Sequence, residues 1–532
     1  MAFSVRKVVE VLRENNLLHE LIAGDLWTTD CDNLGPQADL SFEDISYDTR
    51  KVNESTLLFC KGNFKAEYLD GLDALSCYVA QTDMSEHTKA LGIVVSDVHK
   101  AMALLSAEFY GHPEKQLTMI GITGTKGKTT TAYYVHHLLA QLTGNKTALL
   151  SSVDNCVDGK TYVESQLTTP ESLDLFHLLR EAVDNGMTHM VMEVSSQSYK
   201  VNRVFGLTFD VGVFLNISPD HISPIEHPTF EDYFSCKRQL ISHSRRVVLG
   251  ADTKHANLLL SDARAVGTPV TTFALRSSQI FTADTPANVK NAADFVAIAE
   301  DERHEKFAIL HEGELLASVS LAMEGDFNDE NVAAAYAIVE AAGFSLSEPA
   351  TRAVLPSVNT VAVSGRMEHF EDHAGTPGSA GMVAIVDFAH NYLSTKVLVD
   401  FVYTRYGEKN PRITLISGSS GNKAFDRREG IVKAAQDRIA EFIFTADDTD
   451  SEPVENVCRD MLSHVTNPAV KAQIILDREQ AIRQAVADAR ENSDRFNVIL
   501  VIGKGNEQWL KVHNKHVAYA GDDRVIRELF AA

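Results

Sequence analysis

Cysteine is scarce in this chain and carries no pattern. Six cysteines (Cys31, Cys60, Cys77, Cys156, Cys236 and Cys458) are scattered through 532 residues with no CxxC pair. They read as small core residues in a reducing, cytoplasmic setting rather than as a disulfide framework. Long apolar runs are also missing. None approaches the roughly eighteen residues a membrane span needs, so no span is expected. The opening stretch MAFSVRKVVEVLRENNLLHE has apolar residues at helical spacing with charges throughout, which does not read as a signal peptide. Low-complexity tracts and short repeats are absent. Basic residues are outnumbered, 49 Lys and Arg against 73 Asp and Glu, for a formal net charge of −24. A surface that acidic repels nucleic acid and anionic membrane, so neither is expected as a partner. Any anionic substrate must then meet a local cationic pocket or a bound metal.

Apolar residues make up 44% of the chain and charged residues 23%, ordinary for a protein with real cores. The length suggests about three domains. Strand-like apolar runs alternate with helix-like periodic runs, the pattern of an α/β protein. We expect an N-terminal unit over 1–112, a central unit over 113–357 and a C-terminal unit over 358–532. The central unit opens on LTMIGITG and continues through KTALLSSV, HMVMEVSS, FDVGVFLNI and RRVVLGAD. The C-terminal unit contains MVAIVDFAHN, RITLISGSSGNK, EFIFTADDTD and NVILVIGKGNE, apolar runs that each end in a polar or glycine-rich cluster. Ligands of open parallel sheets bind outside the carboxyl ends of the strands, so these four clusters should meet along one crevice.

The stretch GITGTKGKTT, residues 121–130, stands between an apolar strand and the helix-like TAYYVHHLLAQL. Its Gly124-x-x-Gly127-Lys128-Thr129 spacing is a shortened phosphate loop, with Ile122 where the full Walker motif has glycine. Glycines let backbone N–H groups curl around phosphate oxygens, and the following helix presents its positive end. Lys128 can reach the outer phosphates, and the Thr129 hydroxyl can serve Mg²⁺. The plain alternative is a strand-to-helix turn with chance glycines. A phosphate loop alone fits kinases, switches, motors and ligases equally.

The other clusters narrow the choice. TGTKGKTT, TTPES, MEVSSQSYKVNR, NISPDH, CKRQL, GDFNDEN, SGRME, DFAHN and GKGNE occur in that order between about residues 46 and 507. In order and spacing they resemble the Mur ligase family, the ATP-dependent amide-forming enzymes of peptidoglycan precursor synthesis. The likeness is greatest to the members that add the third amino acid. It implies a central mononucleotide-binding parallel sheet and a Rossmann-like C-terminal domain. It also implies transfer of phosphate from ATP to a peptide carboxylate, followed by attack of an amine on the acyl phosphate. Negative charge crowds such a centre, so positioning and electrostatic stabilisation carry the catalysis.

The resemblance assigns roles residue by residue. Gly124, Thr125, Lys126, Gly127, Lys128, Thr129 and Thr130 would form the ATP loop, with Lys126 replacing a more usual asparagine. Thr129 and Glu193 would hold one Mg²⁺, and His221 with Glu193 a second. Lys237, in FSCKRQL, matches the lysine that the family carbamylates with CO₂. A neutral amine is needed for that, hence a desolvated lysine or one near other cations. Thr168, Thr169, Ser195 and Arg203 would grip the acidic nucleotide-linked dipeptide. Thr49, in ISYDTRKV, would touch its uridine part, where the subgroup commonly has serine. Asn328 and Asn331 would lie near the adenine and ribose, and Arg366 and Asp387 would bring the third domain onto ATP. Asn328 could also cap the helix that follows it. By themselves Glu193, His221 and Lys237 would read as a strand-end acid, a loop histidine and an exposed helix lysine.

The third domain should hold the incoming amino acid through Lys423, Asp447, Asp448, Asp450, Gly503 and Glu507. Relatives that use meso-diaminopimelate carry Asp-Asn-Pro-Arg where this chain has Asp447-Asp448-Thr449-Asp450, with an acid in place of the arginine. A carboxylate about 4 Å from Asp450 costs about 4 kcal/mol at an effective dielectric of about 20, or roughly 10³-fold in affinity. An ammonium gains a similar attraction. L-lysine is therefore expected first, then L-ornithine, then diaminopimelate; Asp450 as a solvated loop acid is the plain alternative. Lys423 stands where an arginine often holds the α-carboxylate, and Asn506 replaces a frequent histidine. The expected partners are the UDP-muramoyl-dipeptide and a free diamino acid, acting on a monomer. Two other readings remain. A folylpolyglutamate synthase-like ligase should lack the roughly 110 residues that here precede the loop. A non-catalytic nucleotide-binding regulatory subunit has no need of Lys128, Glu193, His221 and Lys237 together.

Overall fold

A computed structural model describes residues 3–224, 226–276, 293–301, 305–323, 325–372, 379–513 and 515–531. The protein is α/β and forms two compact units. One comprises Met1–Asn216, Phe234–Thr272 and Ala335–Val354, the other Ile217–Tyr233, Phe273–Ala334 and Leu355–Ala532.

The first unit contains an N-terminal sheet, a central sheet and a short antiparallel pair, Phe3–Ser4 with Ser41–Phe42. The N-terminal sheet is 6-stranded, in the order Leu26–Thr28, Leu18–Ala23, Leu91–Val95, Cys77–Ala80, Thr56–Phe59, Asp44–Ser46. Its last four strands run parallel. Helices Val5–Glu14 and Val98–Phe109 pack on one face through Val5, Val8, Leu12, Ala101 and Leu105. Each starts at a side-chain cap, Ser4 or Asp97, that accepts a bond from the first turn.

The central sheet is built on parallel neighbours in the order Thr147–Leu150, His189–Glu193, Thr118–Thr123, Val211–Phe214, Val247–Gly250. Apart from their polar ends these strands are continuous apolar runs, because a parallel sheet is covered on both faces. Helix Lys128–Thr143 follows the middle strand and stops at Gly144, which takes the left-handed conformation at φ 68°. The expected phosphate loop thus lies at a strand carboxyl end in mid-sheet.

The second unit holds an antiparallel meander, Phe295–Ala299, Phe307–His311 and Glu314–Val319. It also holds a 6-stranded sheet in the order Glu368–Glu371, Met382–Asp387, Asn497–Ile502, Arg412–Ser417, Glu441–Phe444, Lys471–Ile474. Only the pairing of the first two is antiparallel; the rest are parallel. Apolar clusters fill both faces, one around Leu398, Leu415 and Leu500, the other around Ile482, Ile499 and Ile526.

Candidate active site

In the first unit the phosphate-loop turn is fastened from beside it. Asn216, at the end of the neighbouring strand, accepts from the Lys126 N–H through Oδ1 (2.9 Å) and donates to the Lys126 carbonyl through Nδ2 (3.1 Å). The Thr125 N–H donates to the Asn216 carbonyl at 3.0 Å. Gly127 precedes the helix in the left-handed conformation and makes no side-chain cap bond, and the positive end of the helix faces the loop. Lys128 Nζ folds back on the carbonyls of Gly124 (3.1 Å) and Thr125 (3.4 Å).

Glu193 ends the strand beside the loop strand, opposite Ile122 in register, and is fully buried. Its carboxylate accepts from the Ser152 N–H at 2.7 Å and from the Ser152 hydroxyl at 3.0 Å to each oxygen. The Ser152 hydroxyl lies 3.5 Å from Thr129 Oγ1. A hydroxyl–hydroxyl–carboxylate row therefore runs from the helix start to the neighbouring strand end. Hard oxygen donors in a buried, anionic row suit Mg²⁺. Lys237, on helix Phe230–Ser242, is also buried; its Nζ donates to the Gly124 carbonyl (2.9 Å) and to Thr123 Oγ1 (3.3 Å).

A second cluster in this unit gathers around TTPES. The Thr169 hydroxyl donates to the Glu193 carbonyl at 3.0 Å and lies 3.3 Å from Ser195 Oγ. Arg203 donates to the Thr169 carbonyl (3.2 Å) and to Glu171 Oε1 (2.9 Å), while Lys61 donates to Glu171 Oε2 at 2.9 Å. Burial works against the Glu171 charge, but Arg203 and Lys61 outweigh it and hold the carboxyl below its usual range. Lys61 also stands over the Tyr47 ring, 4.6 Å from its centroid. Thr168 is half-buried in the turn before Thr169, and Thr49 is half-buried at the start of a short 3₁₀ turn capped by Asp48. Lys61 and Glu171 were not singled out by the sequence, although Glu171 lies in the segment TTPES.

In the second unit the strand-end clusters do converge. A Cβ on Gly418 would stand 2.6 Å from Asp447 Cβ, and one on Gly421 only 1.8 Å from the Thr449 carbonyl oxygen. Gly503, at φ 111°, approaches Asp447 Oδ2 as closely, 2.6 Å from its ideal Cβ. Only glycine fits so close an approach at that backbone angle. Asp387 pins the SGRME turn: Oδ2 accepts from the Met367 N–H (2.9 Å) and Oδ1 from the Ala389 N–H (2.8 Å). Arg366 lies across the Phe388 ring at 4.3 Å.

Asn328 differs from the cap expected of it. Helix Asp326–Ala341 begins two residues before it, so Asn328 sits inside the first turn. Its amide donates to the Met323 carbonyl at 3.1 Å, and the Asn331 amide donates to Asn328 Oδ1 at 3.2 Å.

The acidic row of the third strand end is held by cations that sequence reasoning missed. Lys504, almost fully buried, donates to Asp448 Oδ1 at 2.9 Å, pairs with Glu507 and lies 4.0 Å from the Trp509 ring centroid. Burial pushes the Glu507 carboxyl up; Lys504 opposes this, and the group is left at about 7. Burial, with Asp448 adjacent, raises the Asp447 carboxyl. Beneath them Arg478 is fully buried. It forks onto Asp522 with two bonds of 2.7 Å and donates to the carbonyls of Ala446 (3.0 Å) and Ile502 (2.8 Å). Asp450 adopts φ 54°, exchanges backbone bonds with Lys511 and His513, and has Lys511 Nζ 3.9 Å from its carboxylate.

His221 belongs to the second unit, in the segment Ile217–Tyr233. Its Nδ1 lies 3.5 Å from Glu226, which also faces Lys423 Nζ at 3.6 Å. Burial disfavours the Glu226 charge, yet the His221 bond and the charges of His221, Lys423 and Arg427 hold its carboxyl down at about 2.

Fold and site together define a phosphate-loop α/β ligase scaffold, and the comparisons give it a family. The Mur ligase middle domain matches residues 122–339, and the Mur ligase glutamate ligase domain matches residues 365–505. The chain is 54% identical over 532 residues, all of both sequences, to a UDP-N-acetylmuramyl-tripeptide synthetase of Bifidobacterium longum. It is 39% identical over 529 residues, 98% of each sequence, to the UDP-N-acetylmuramoyl-L-alanyl-D-glutamate--L-lysine ligase of Enterococcus faecalis. The chain belongs to the Mur ligase family. Among solved structures, a UDP-N-acetylmuramoyl-L-alanyl-D-glutamate--2,6-diaminopimelate ligase shares the fold at TM-score 0.60 and 21% identity, covering 100% of this chain and 99% of that one. A Mycobacterium tuberculosis folylpolyglutamate synthase does so at TM-score 0.58 and 16% identity, covering 81% of this chain and 95% of that one.

Proposed function

We propose that this chain is an ATP-dependent, ADP-forming ligase that adds a diamino acid, L-lysine first and L-ornithine second, to UDP-N-acetylmuramoyl-L-alanyl-D-glutamate in peptidoglycan precursor synthesis. Full-length identity to relatives bearing those names supports the reaction class. The observation that carries the choice of a cationic side chain is the excess of acid at these strand ends, where Asp447, Asp448, Asp450 and Glu507 stand with Lys504 and Lys511. We read the chain as three domains over 1–112, 113–357 and 358–532. We read the working form as a cytoplasmic monomer. Among the described residues no helix is long and apolar enough to cross a membrane.

The loop residues Gly124 to Thr130 cradle the ATP phosphates, with Lys128 withdrawn from its own loop carbonyls to meet them. Asn328, Asn331, Arg366 and Asp387 serve the nucleoside side. Thr129, Glu193 and His221 would hold Mg²⁺, which supplies charge neutralisation at the transferring phosphoryl group. Thr168, Thr169, Ser195, Arg203 and Thr49 receive the acidic nucleotide substrate. The dipeptide carboxylate takes the terminal phosphoryl group, ADP leaves, and the amine of the incoming amino acid displaces phosphate from the acyl carbon. Gly503 and Glu507 orient that amine, and Lys423 faces its α-carboxylate.

Lys237 carries the proposed carbamate. Its ammonium would lose one proton to become an amine, and the nitrogen would then bond to the carbon of CO₂ with loss of a second, turning a buried cation into an anion beside Thr123 and the loop. As an ammonium it instead fastens the loop through Gly124. A carbonyl resonance from ¹³C-bicarbonate present in the wild type and absent in Lys237→Ala distinguishes the two.

Lys511 softens the expected discrimination at Asp450. An exposed pair of this kind is worth about 0–1 kcal/mol, which leaves about 3–4 kcal/mol, so preference for lysine over diaminopimelate should be about 150-fold to 10³. The test is ADP release with the UDP-muramoyl-dipeptide and a panel of amino acids. Preference for diaminopimelate overturns the specificity; release that needs neither substrate overturns the ligase.

A further inference from the structure

The residue before His221 is the most heavily engaged carboxylate of its segment. Asp220 is 3% exposed, and its Oδ1 accepts from Arg427 Nη2 at 2.7 Å and from the His221 N–H at 3.0 Å. Its Oδ2 accepts from the Asn391 amide at 3.1 Å, with His390 Nε2 at 3.7 Å. Asn391 caps helix Tyr392–Tyr406, and Arg427 sits in the first turn of helix Asp426–Ala435. His221 itself takes φ 57°, unusual for a histidine, and its ring stacks on Tyr233. The bond from its own N–H to Asp220 fixes that backbone angle. The aim of the imidazole therefore depends on a carboxylate held by two helix starts of the C-terminal sheet.

We propose that Arg427 and Asn391 are positioning residues that act through Asp220 to set His221 for its metal. The inference rests on the proposed metal role of His221. The helix bearing Arg427 follows the glycine-rich turn that carries Lys423, the residue assigned to the amino acid. Only when the helices of the C-terminal sheet grip Asp220 is His221 correctly presented, so residues beside the amino-acid site set the aim of this imidazole without touching the metal. A buried guanidinium–carboxylate bond backed by an amide is strong enough and directional enough for this.

The test uses full-length enzyme, with Mn²⁺ binding followed by its electron paramagnetic resonance signal, whose dissociation constant should rise at least fivefold in Arg427→Gln, and with the rate measured against Mg²⁺ concentration and, separately, against amino-acid concentration. Arg427→Gln should lower kcat about tenfold to hundredfold and raise the Mg²⁺ needed for half-maximal rate at least fivefold, with the amino-acid KM changed less than threefold. Asn391→Asp keeps the helix cap but loses the amide donor, and should shift the Mg²⁺ requirement the same way. Asp220→Asn combined with Arg427→Gln should be no worse than either alone. A normal Mg²⁺ curve in both Arg427→Gln and Asn391→Asp, or effects of Asp220 and Arg427 that multiply independently, overturns the inference. His221→Ala separates the two levels. Impaired His221→Ala with normal Arg427→Gln defeats the positioning role alone, whereas a normal His221→Ala defeats the metal reading and this inference with it.

Discussion

Glu507 offers the most searching test of the amino-acid site. Its carboxyl is three-quarters buried, paired with Lys504, and pushed by burial from 4.5 to about 7. Ionised, it attracts the incoming amino group and accepts from it through a charge-assisted bond; protonated, it loses that attraction. With a midpoint of about 7, about nine-tenths of it is ionised at pH 8 and slightly under one-tenth at pH 6, a roughly tenfold difference. The substrate amine must also lose a proton to attack, and it titrates above this range. Log kcat/KM for the amino acid should thus fall with a slope approaching 2 below pH 7 and near 1 above it. Glu507→Gln keeps the shape and a carbonyl acceptor but does not titrate, so its slope stays near 1 throughout. Between pH 8 and 6 the wild type should lose about tenfold more than the variant. The stability sign runs in the same window. A carboxyl whose folded pKa exceeds its unfolded value holds its proton more tightly when folded, so it costs stability progressively as pH rises from 4.5 to 7. Glu507→Gln should flatten that decline. Identical slopes in wild type and variant refute the assignment of Glu507 to the amine.

Gly421→Ala would press a methyl group into the Thr449 carbonyl; a loss of about 2–4 kcal/mol in unfolding free energy and of amino-acid turnover is expected, with nucleotide binding retained. Asp450→Asn should reduce the lysine-over-diaminopimelate preference about tenfold, and Lys511→Met should increase it, both read from the ratio of kcat/KM values. Ser152→Ala removes the hydroxyl bridge between Thr129 and Glu193; the Mg²⁺ concentration for half-maximal rate should rise, while the KM for the amino acid stays put.

The parallel strands and their polar ends were legible because period and composition reveal both, and topology then forces the ends together. The approach of Gly421 to Thr449 and of Gly503 to Asp447 is that convergence in atomic form. The phosphate loop and its helix were legible for the same local reason. The supporting ions were not. Glu171 meets Lys61 across 110 positions and Arg203 across 32, and no local pattern links such partners. Arg478 lies in none of the glycine-rich clusters and finds Asp522 across 44 positions. Asn328 was open to misreading as a cap because the helix start is set two residues earlier, where the chain turns at Gly325. Asp220 was overlooked beside His221 because an aspartate before a histidine reads as a solvated turn until its arginine is in place.

The Arg478–Asp522 fork has a bearing on how the chain tolerates being cut. Asp522 opens the final helix, Asp522–Ala531, and is the only carboxylate that receives Arg478 bidentately among the described residues. A chain stopped short of that helix would strand a guanidinium against the backbone of two strand ends, directly below the acids assigned to the substrate. Shortening at this end should therefore abolish amino-acid incorporation, although the helix contributes no residue to the substrate itself.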